Sequence, residues 1–552
     1  MRVTERLSAY WRLGAAGVSG VLLAVAFPPV ECAQAAWVAL IPFLVALLHD
    51  PDGGATMAAP LLRLRIRSAF RLGWIAGLAF WLTSLFWLLT LCKTSPAPAV
   101  LIVGAWVLLA AYCAVYYAAF AATVAWVAGK LGTDRLWKGM SLTLLIPVLW
   151  VGGEEVRSWL LSGYPWNVIG ISQFRNLLLI QSAEWFGVAG VSALVMLVNT
   201  GLAFTILRHL PPRKERHYRP HLELFIALMA VALTFRAGVK LAGEVAPAGG
   251  VLEIAAVQPA IPQVKKWTDE QVNTIHTTLR KLTEQALSQG ESRPDLIVWP
   301  ETATPYCVTD EAAESRELVL DLSRRGVPLL VGSMDIMKLG GDMLCYNASF
   351  LFGTNGMEVA RYNKQHLVPF GEVVPLSDRI PWLAQFAPMG WNCSAGHEST
   401  VFSVGAPAQR FSCLICFEDI MADLSRAAVK AGARLLVNQT NDAWFDGSAG
   451  PVQHLAHCVF RCVENRVPAV RIANSGISCQ IEPTGLISGA TENSRRTPPE
   501  TATPRWQVLL PGEDFAPTLY TRYGDALFGI PCGVVAVLGV VLAWAAARRR
   551  QE

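Results

Sequence analysis

Charge is scarce in this chain. Asp, Glu, Lys and Arg together make up 16% of its 552 residues, against roughly a quarter in soluble domains. That excludes a charged coiled coil and a disordered tail, both of which need polar residues to stay solvated. The formal net charge is only +4, and no basic stripe interleaves with aromatics, so nucleic acid is not an expected partner. No G-x-G-x-x-G, P-loop or H-E-x-x-H pattern is present, which argues against nucleotide and zinc-protease chemistry. Cys413-x-x-Cys416 and Cys458-x3-Cys462 lack suitable His partners, so neither a metal nor a cofactor is expected.

Apolar residues are abundant, at 53%, and unevenly spread. Leu7 to about Gly243 is a series of apolar runs with short basic breaks. Val251 to about Pro511 reads as a soluble α/β domain, and Ala526–Ala547 is apolar again. Eight runs are candidate membrane spans: Leu13–Phe27, Ala35–Leu48, Leu72–Cys92, Ala99–Gly129, Met140–Gly153, Leu177–Leu207, Leu222–Leu241 and Ala526–Ala547. About 20 residues cross the hydrocarbon core, and the second and fifth runs are short for that.

Basic residues alternate between the breaks. They collect at Arg2, Arg6 and Arg12, at Arg63–Arg71, at Lys130–Lys138, at Arg208–Arg219 and at Arg548–Arg550, while Pro28–Gln34 has none. The positive-inside rule then puts both termini in the cytoplasm and the α/β segment outside it. Removing any one span breaks the alternation. The expected domains are 1–245, a seven-helix membrane region; 246–515, an exported catalytic domain; and 524–547, a C-terminal helix. Residues 1–35 also have the makings of a signal peptide, ending at Ala33-Gln34-Ala35, though cleavage there would leave the downstream topology unchanged. Eight of the 12 Cys lie in the exported segment, where disulfides are permitted.

Short runs rich in Val, Ile and Leu, bounded by turn residues, alternate with helical periodicity through this segment. Three polar residues stand at the ends of such runs. Glu301 follows Leu296-Ile297-Val298-Trp299-Pro300, where partial burial would raise a carboxyl toward general-base range; the plainer reading is a helix cap or loop carboxylate. Lys364 is placed to steady an oxyanion or thiolate; the plainer reading is a surface lysine. Cys416 follows a buried strand, where a sharp turn into a helix would expose a nucleophile and lower its pKa; the plainer reading is a structural Cys or half of a disulfide. Cys413 is expected in the strand core.

Taken together, strand-Pro-Glu301, Lys364 and strand-Cys416-x-Glu418 resemble the Glu-Lys-Cys triad of the nitrilase (carbon–nitrogen hydrolase) superfamily. Combined with eight spans, the chain is similar to the apolipoprotein N-acyltransferase family over nearly its whole length. The resemblance is carried by Glu154-x-x-Arg157, Gly163-Tyr164-Pro165-Trp166-Asn167 and Gly187-Val188-Ala189-Gly190-Val191-Ser192 in the membrane part. In the exported part it is carried by Val257-Gln258-Pro259 with Trp267, Trp299-Pro300-Glu301-Thr302-Ala303, Lys364–Pro375, Cys416-Phe417-Glu418, Asn441-Asp442-Ala443-Trp444-Phe445 and Pro451-Val452-Gln453-His454. Phe417 departs from the Tyr that many members carry, and Asp446 precedes Gly447 where the family often has Gly first.

The resemblance implies a multi-pass helical membrane domain of about eight spans with an exported αββα sandwich. It implies a ping-pong reaction: Cys416 takes an acyl chain from the sn-1 ester of a phospholipid, and the α-amino group of a diacylglyceryl-cysteine then receives it. Glu301 would be the base and Lys364 the oxyanion partner. Glu372, Glu418 and Phe417 would support them, and Trp267, Trp444 and His454 would contact substrate. The implied donor is phosphatidylethanolamine or phosphatidylglycerol, the acceptor a diacylated apolipoprotein, and the setting a bacterial inner membrane with the catalytic domain in the periplasm. A monomer is expected. The uncharged, Trp-rich stretch Pro381–Trp391 reads as a membrane-touching lid. Glu184 and the Glu154–Arg157 pair are expected to shape helix packing or headgroup access. Two rivals use the same features differently. A membrane-anchored amidase would turn over soluble amides with water as acceptor, and a transporter with a binding domain would not need Cys416.

Overall fold

The computed structural model describes residues 2–49, 57–132, 135–210, 221–244, 248–266, 268–339, 342–375, 377, 379–380, 382, 392–445, 447–491 and 500–548. The chain divides into two compact units. One comprises Met1–Cys92, Pro96–Glu244 and Tyr523–Glu552; the other comprises Lys93–Ser95 and Val245–Arg522.

The first unit is helical. Among the described residues, five helices are long and apolar enough to cross a membrane: Ala99–Leu131, Leu136–Ser162, Ala183–Leu207, Leu222–Gly243 and Leu519–Arg548. A sixth candidate, Leu61–Ser84 with Phe86–Thr94, bends by 47°, and Tyr10–Val25 and Ala33–Leu48 are shorter apolar helices. The expected span Leu177–Leu207 is broken: a single turn, Leu177–Ile180, precedes Ala183–Leu207. Helix Ala99–Leu131 buries small residues, Ala110, Ala114, Ala118 and Ala121, as close helix packing in lipid requires. Glu154 accepts from Trp150 Nε1 (2.9 Å) and Ile169 N (2.7 Å). Arg157 donates to the carbonyls of Tyr164 and Trp166 and lies over the Trp81 ring. Both residues therefore tie loop backbone to helices.

The second unit is a sandwich of two six-stranded sheets. The first sheet has the order β12-β1-β2-β3-β4-β5, built from β1 (Ala248–Ala256), β2 (Leu296–Val298), β3 (Leu329–Leu339), β4 (Asp342–Phe352), β5 (Glu358–Asn363) and β12 (Arg505–Pro511). The second has the order β11-β10-β9-β8-β7-β6, from β6 (Val401–Val404), β7 (Gln409–Ile415), β8 (Leu436–Thr440), β9 (Ala469–Ala473), β10 (Cys479–Ile481) and β11 (Ile487–Ser488). In each sheet the central strands run parallel and the edges antiparallel.

Strand alternation sorts the side chains. Phe411, Cys413 and Ile415 of β7, Val437 of β8, and Val470 and Ile472 of β9 meet Ile254, Val298 and Leu330 in the core between the sheets. On its outer face the first sheet is covered by the helix Val272–Ser288, whose Ile275, Leu279, Leu282 and Ala286 repeat at helical spacing, together with Glu314–Ser323. The helices Ala422–Lys430 and Gly450–Asn465 accompany the second sheet. The layers are therefore α, β, β, α.

Candidate active site

Three chain segments converge at one end of the sandwich. The first is the turn after β2. Pro300 cannot extend the ladder, so the chain turns over the neighbouring strand β3. That crossing needs Gly332: a Cβ there would lie 2.2 Å from Pro300 O. Ala303 N donates to Gly332 O at 2.7 Å and closes the turn. Glu301 is thereby held inside, 7% exposed.

The second segment follows β5. Lys364 N donates to Asn347 O on β4 (2.8 Å). Its ammonium is 2.9 Å from Glu372 Oε1 and 3.3 Å from Glu301 Oε1, with the side chain almost wholly buried. Burial works against the charge, but Glu372 and Glu301 outweigh it and hold the Lys364 pKa well above its ordinary value. Asn347 Nδ2 donates to both Glu301 Oε1 and Glu372 Oε1, each at 2.8 Å. One amide and one ammonium thus link the two carboxylates. Glu372 Oε2 accepts from Val368 N (2.9 Å), which folds the Lys364–Glu372 loop back on itself.

The third segment leaves β7. Cys416 sits at φ +52°, a region costly for any residue with a Cβ, and opens a single 3-10 turn, Cys416–Ile420. Glu418 Oε2 accepts from Ile415 N (2.7 Å), and Glu418 Oε1 accepts from Gln365 N (2.6 Å) and His366 N (3.1 Å). Tyr362 OH donates to the same carboxylate. One buried Glu therefore binds the Cys416 turn to the Lys364 loop. Burial raises the Glu418 pKa to about 7 against these donors.

The expected lowering of the Cys416 pKa does not occur. Burial pushes the thiol well above its ordinary value and Glu301 adds to this, while Lys364 and a hydrogen bond with Thr440 act in the opposite direction. The turn that follows is only five residues of 3-10 helix, too little aligned dipole to offset desolvation. The resting group is a thiol.

Beneath Cys416 lies a buried charged network. Arg471 of β9 donates to Asp419 Oδ2 (2.9 Å), Asn438 Oδ1 (2.8 Å) and Asp442 Oδ2 (2.7 Å). His454 Nδ1 pairs with Asp442 Oδ1 at 3.2 Å; its Nε2 is 2.7 Å from Asp419 Oδ1 and 3.1 Å from Cys416 O. Asn438 Nδ2 also reaches Cys416 O, at 3.1 Å. Burial disfavours the His454 cation, but Asp419 and Asp442 raise its pKa to about 9. Burial likewise works against the Asp442 carboxylate, and Arg471 and His454 overcome it, lowering its pKa to about 2.

Of the expected residues, Glu301, Lys364, Cys416, Glu372 and Glu418 come together. Phe417 stacks on His366, with centroids 5.8 Å apart. His454, expected to contact substrate, has protein partners on both ring nitrogens, directly under Cys416. Trp444 is half-buried in the short turn Asp442–Phe445. Trp267 lies outside the described residues, as does Pro381–Trp391 apart from Trp382. Sequence reading missed Asn347, Tyr362, Arg471 and Lys266. Lys266 Nζ donates to Glu301 O (3.2 Å) and Thr302 Oγ1 (2.9 Å). Burial lowers its pKa to about 8 against the pull of Glu301 and Cys416. Arg471 did leave a signal: a lone Arg inside Ala469-Val470-Arg471-Ile472-Ala473 demands buried counter-charge.

This sandwich, with Glu, Lys and Cys at one end, is of the carbon–nitrogen hydrolase class, and residues 253–498 match the domain described as "Carbon-nitrogen hydrolase". Residues 19–201 match the "Apolipoprotein N-acyltransferase N-terminal domain". An apolipoprotein N-acyltransferase of Geobacter metallireducens is 37% identical over 97% of this chain and 95% of its own length. One of Brucella suis is 32% identical over 88% of each. The chain belongs to the apolipoprotein N-acyltransferase family, a family of membrane acyltransferases. Among solved structures, a nitrilase-superfamily member of Saccharomyces cerevisiae aligns at 16% identity, covering 48% of this chain and 91% of its own, with a TM-score of 0.36. An amidase from Nesterenkonia sp. aligns at 18% identity over 48% and 93%, with a TM-score of 0.32.

Proposed function

We propose that this protein moves the sn-1 acyl chain of a membrane phospholipid to the α-amino group of a diacylglyceryl-cysteine, through a thioester on Cys416. The observation that carries this reading is the convergence of buried Glu301 and Lys364 with half-buried Cys416, from three separate segments of a chain that also bears apolar helices.

Because Cys416 rests as a thiol, attack on the ester must be coupled to proton transfer, with Glu301 as acceptor. The ester carbonyl becomes a tetrahedral oxyanion. Lys364, already charged, supplies fixed positive potential to it in a dry site. Glu301 returns the proton to the departing glyceryl oxygen, leaving lysophospholipid and an acyl-Cys416 thioester. In the second half the lipoprotein amine attacks the thioester and its proton passes to Glu301. Collapse releases the N-acyl amide and the Cys416 thiol. Glu372 is the nearer partner of the ammonium, which leaves the more distant Glu301 to carry the proton. The α/β unit would face the periplasm, with phosphatidylethanolamine or phosphatidylglycerol as donor.

Intact-protein mass spectrometry tests this. Purified wild type and Cys416→Ser are each incubated with phosphatidylethanolamine, then with a diacylated Cys lipopeptide. The expected result is an acyl mass on wild type that moves to the lipopeptide amine and never appears as a thioester in the variant. Folded protein that takes up no acyl group, yet hydrolyses soluble amides, would replace the proposal with an amidase.

A further inference from the structure

The mechanism uses one cysteine, but the α/β unit gathers three others at the back of the same loop. Cys307, Cys345 and Cys393 pack together with Met334 and Leu367. Cys345 lies on β4, two residues before Asn347, which holds both active-site carboxylates. Cys393 N donates to Glu372 O at 2.8 Å, and Ser394 N donates to Cys345 O at 2.6 Å. The chain around Cys393 therefore bridges the Glu372 loop and β4. The second bond makes Cys393 the chain neighbour of the residue paired with Cys345, and the two side chains pack in one cluster. The thiols of Cys345 and Cys393 are themselves hydrogen-bonded. Both residues are buried, whereas Cys307 is only half-buried.

We propose that Cys345 and Cys393 form a disulfide that fastens the Glu372 loop to the strand carrying Asn347. This rests on the reading that the α/β unit faces an oxidising compartment. Each thiol gives up its hydrogen, the two sulfurs join, and a thiol-oxidising disulfide, of a protein or a small molecule, is reduced to two thiols. In the folded chain the contact with Cys345, together with burial, holds the Cys393 thiol protonated. Exchange needs a thiolate, so the bridge forms while the chain is folding and is afterwards shielded from reductant. Its consequence for catalysis is positional. Glu372 neutralises Lys364, and the bridge fixes the backbone from which Glu372 reaches.

The test uses the full chain in its own membrane. Cells producing wild type are quenched with N-ethylmaleimide in denaturant, the protein is digested without reductant, and peptides are mapped. The side of the membrane is read in parallel, by labelling a cysteine introduced at exposed Ser292 with a membrane-impermeant maleimide. The expected result is a linked Cys345–Cys393 peptide, with neither residue alkylated until reductant is added. Alkylation of both residues while Ser292→Cys is labelled from outside overturns the proposal, as does a link from either residue to Cys307. If Ser292→Cys is shielded inside the cell, the compartment reading fails. Purified chain unfolded in denaturant and refolded into detergent with oxidised glutathione at alkaline pH, where the thiols ionise before they are buried, then decides: the link forming there retains the proposal, and two alkylatable thiols end it.

Discussion

Glu372 lies closer to the Lys364 ammonium than Glu301 does, 2.9 Å against 3.3 Å. Glu372, rather than Glu301, is the nearer partner of the cation. Removing it should shift the ammonium onto Glu301 and suppress that group's basicity. Glu372→Gln is expected to lose roughly 10²–10⁴ in kcat, the range set by impairing a general base. Single-turnover acylation measures it; an unchanged acylation rate would remove Glu372 from the mechanism.

Lys266 holds the backbone of Glu301 and the hydroxyl of Thr302 from below, at a residue whose φ is +44°. It acts through Glu301, so it is a positioning residue. Lys266→Met keeps the stem and removes the donor, and should lower kcat by about tenfold or more, one misplaced hydrogen-bonded group. The pH–rate profile of acylation should also move, because a nearby cation is gone. A profile that keeps its shape with only thermal stability reduced would make Lys266 purely structural.

Tyr362 donates to both oxygens of Glu418. Tyr362→Phe deletes one hydroxyl and leaves the apolar ring in the core. Hydrogen bonds to charged groups contribute about 1.5–3 kcal/mol, and a loss of that order is expected in denaturant unfolding. Acylation should slow as well, since Glu418 couples the Cys416 turn to the Lys364 loop. Full stability would place the weight on the backbone donors alone.

The network under Cys416 sets a pH window. The His454 pKa, about 9 in the folded chain, lies above its unfolded value near 6.5. Its contribution is complete below about pH 6.5 and disappears as pH rises through 9. Asp442, near 2, behaves oppositely: its contribution is complete above about pH 4 and disappears as pH falls through 2. The alkaline limb should amount to about 3 kcal/mol. His454→Gln should flatten it in a Tm-against-pH series, and a limb unchanged in that variant would assign it elsewhere.

Much of this was legible in the sequence because it rests on local pattern. Pro300 after Leu296-Ile297-Val298 and the strand leading into Cys416 mark two strand ends without any long-range information. Helical periodicity runs over Glu270–Leu287 and Pro451–Asn465, and the helices Val272–Ser288 and Gly450–Asn465 match it within two residues. What escaped depends on strand pairing. The edge strands β5, β6 and β12 carry mixed polar residues, and only their partners make them strands. Asn347 is unremarkable in Cys345-Tyr346-Asn347-Ala348 until the β3–β4–β5 register puts it between two carboxylates. The sign of the Cys416 shift was misjudged because a sequence shows a following helix more readily than it shows desolvation. Gly187, at φ +61°, likewise interrupts a run that reads as continuous.

The raised pKa of half-buried Cys416 also bears on how long its thiol lasts. Oxidants and alkylating agents attack thiolates, and a thiol held protonated offers them little. In the proposed mechanism, coupling deprotonation to Glu301 makes the sulfur reactive only at the moment an ester carbonyl is poised beside it. In that mechanism the raised pKa that makes the thiol sluggish at rest would give it discrimination by timing, and protection from reagents that silence a low-pKa cysteine.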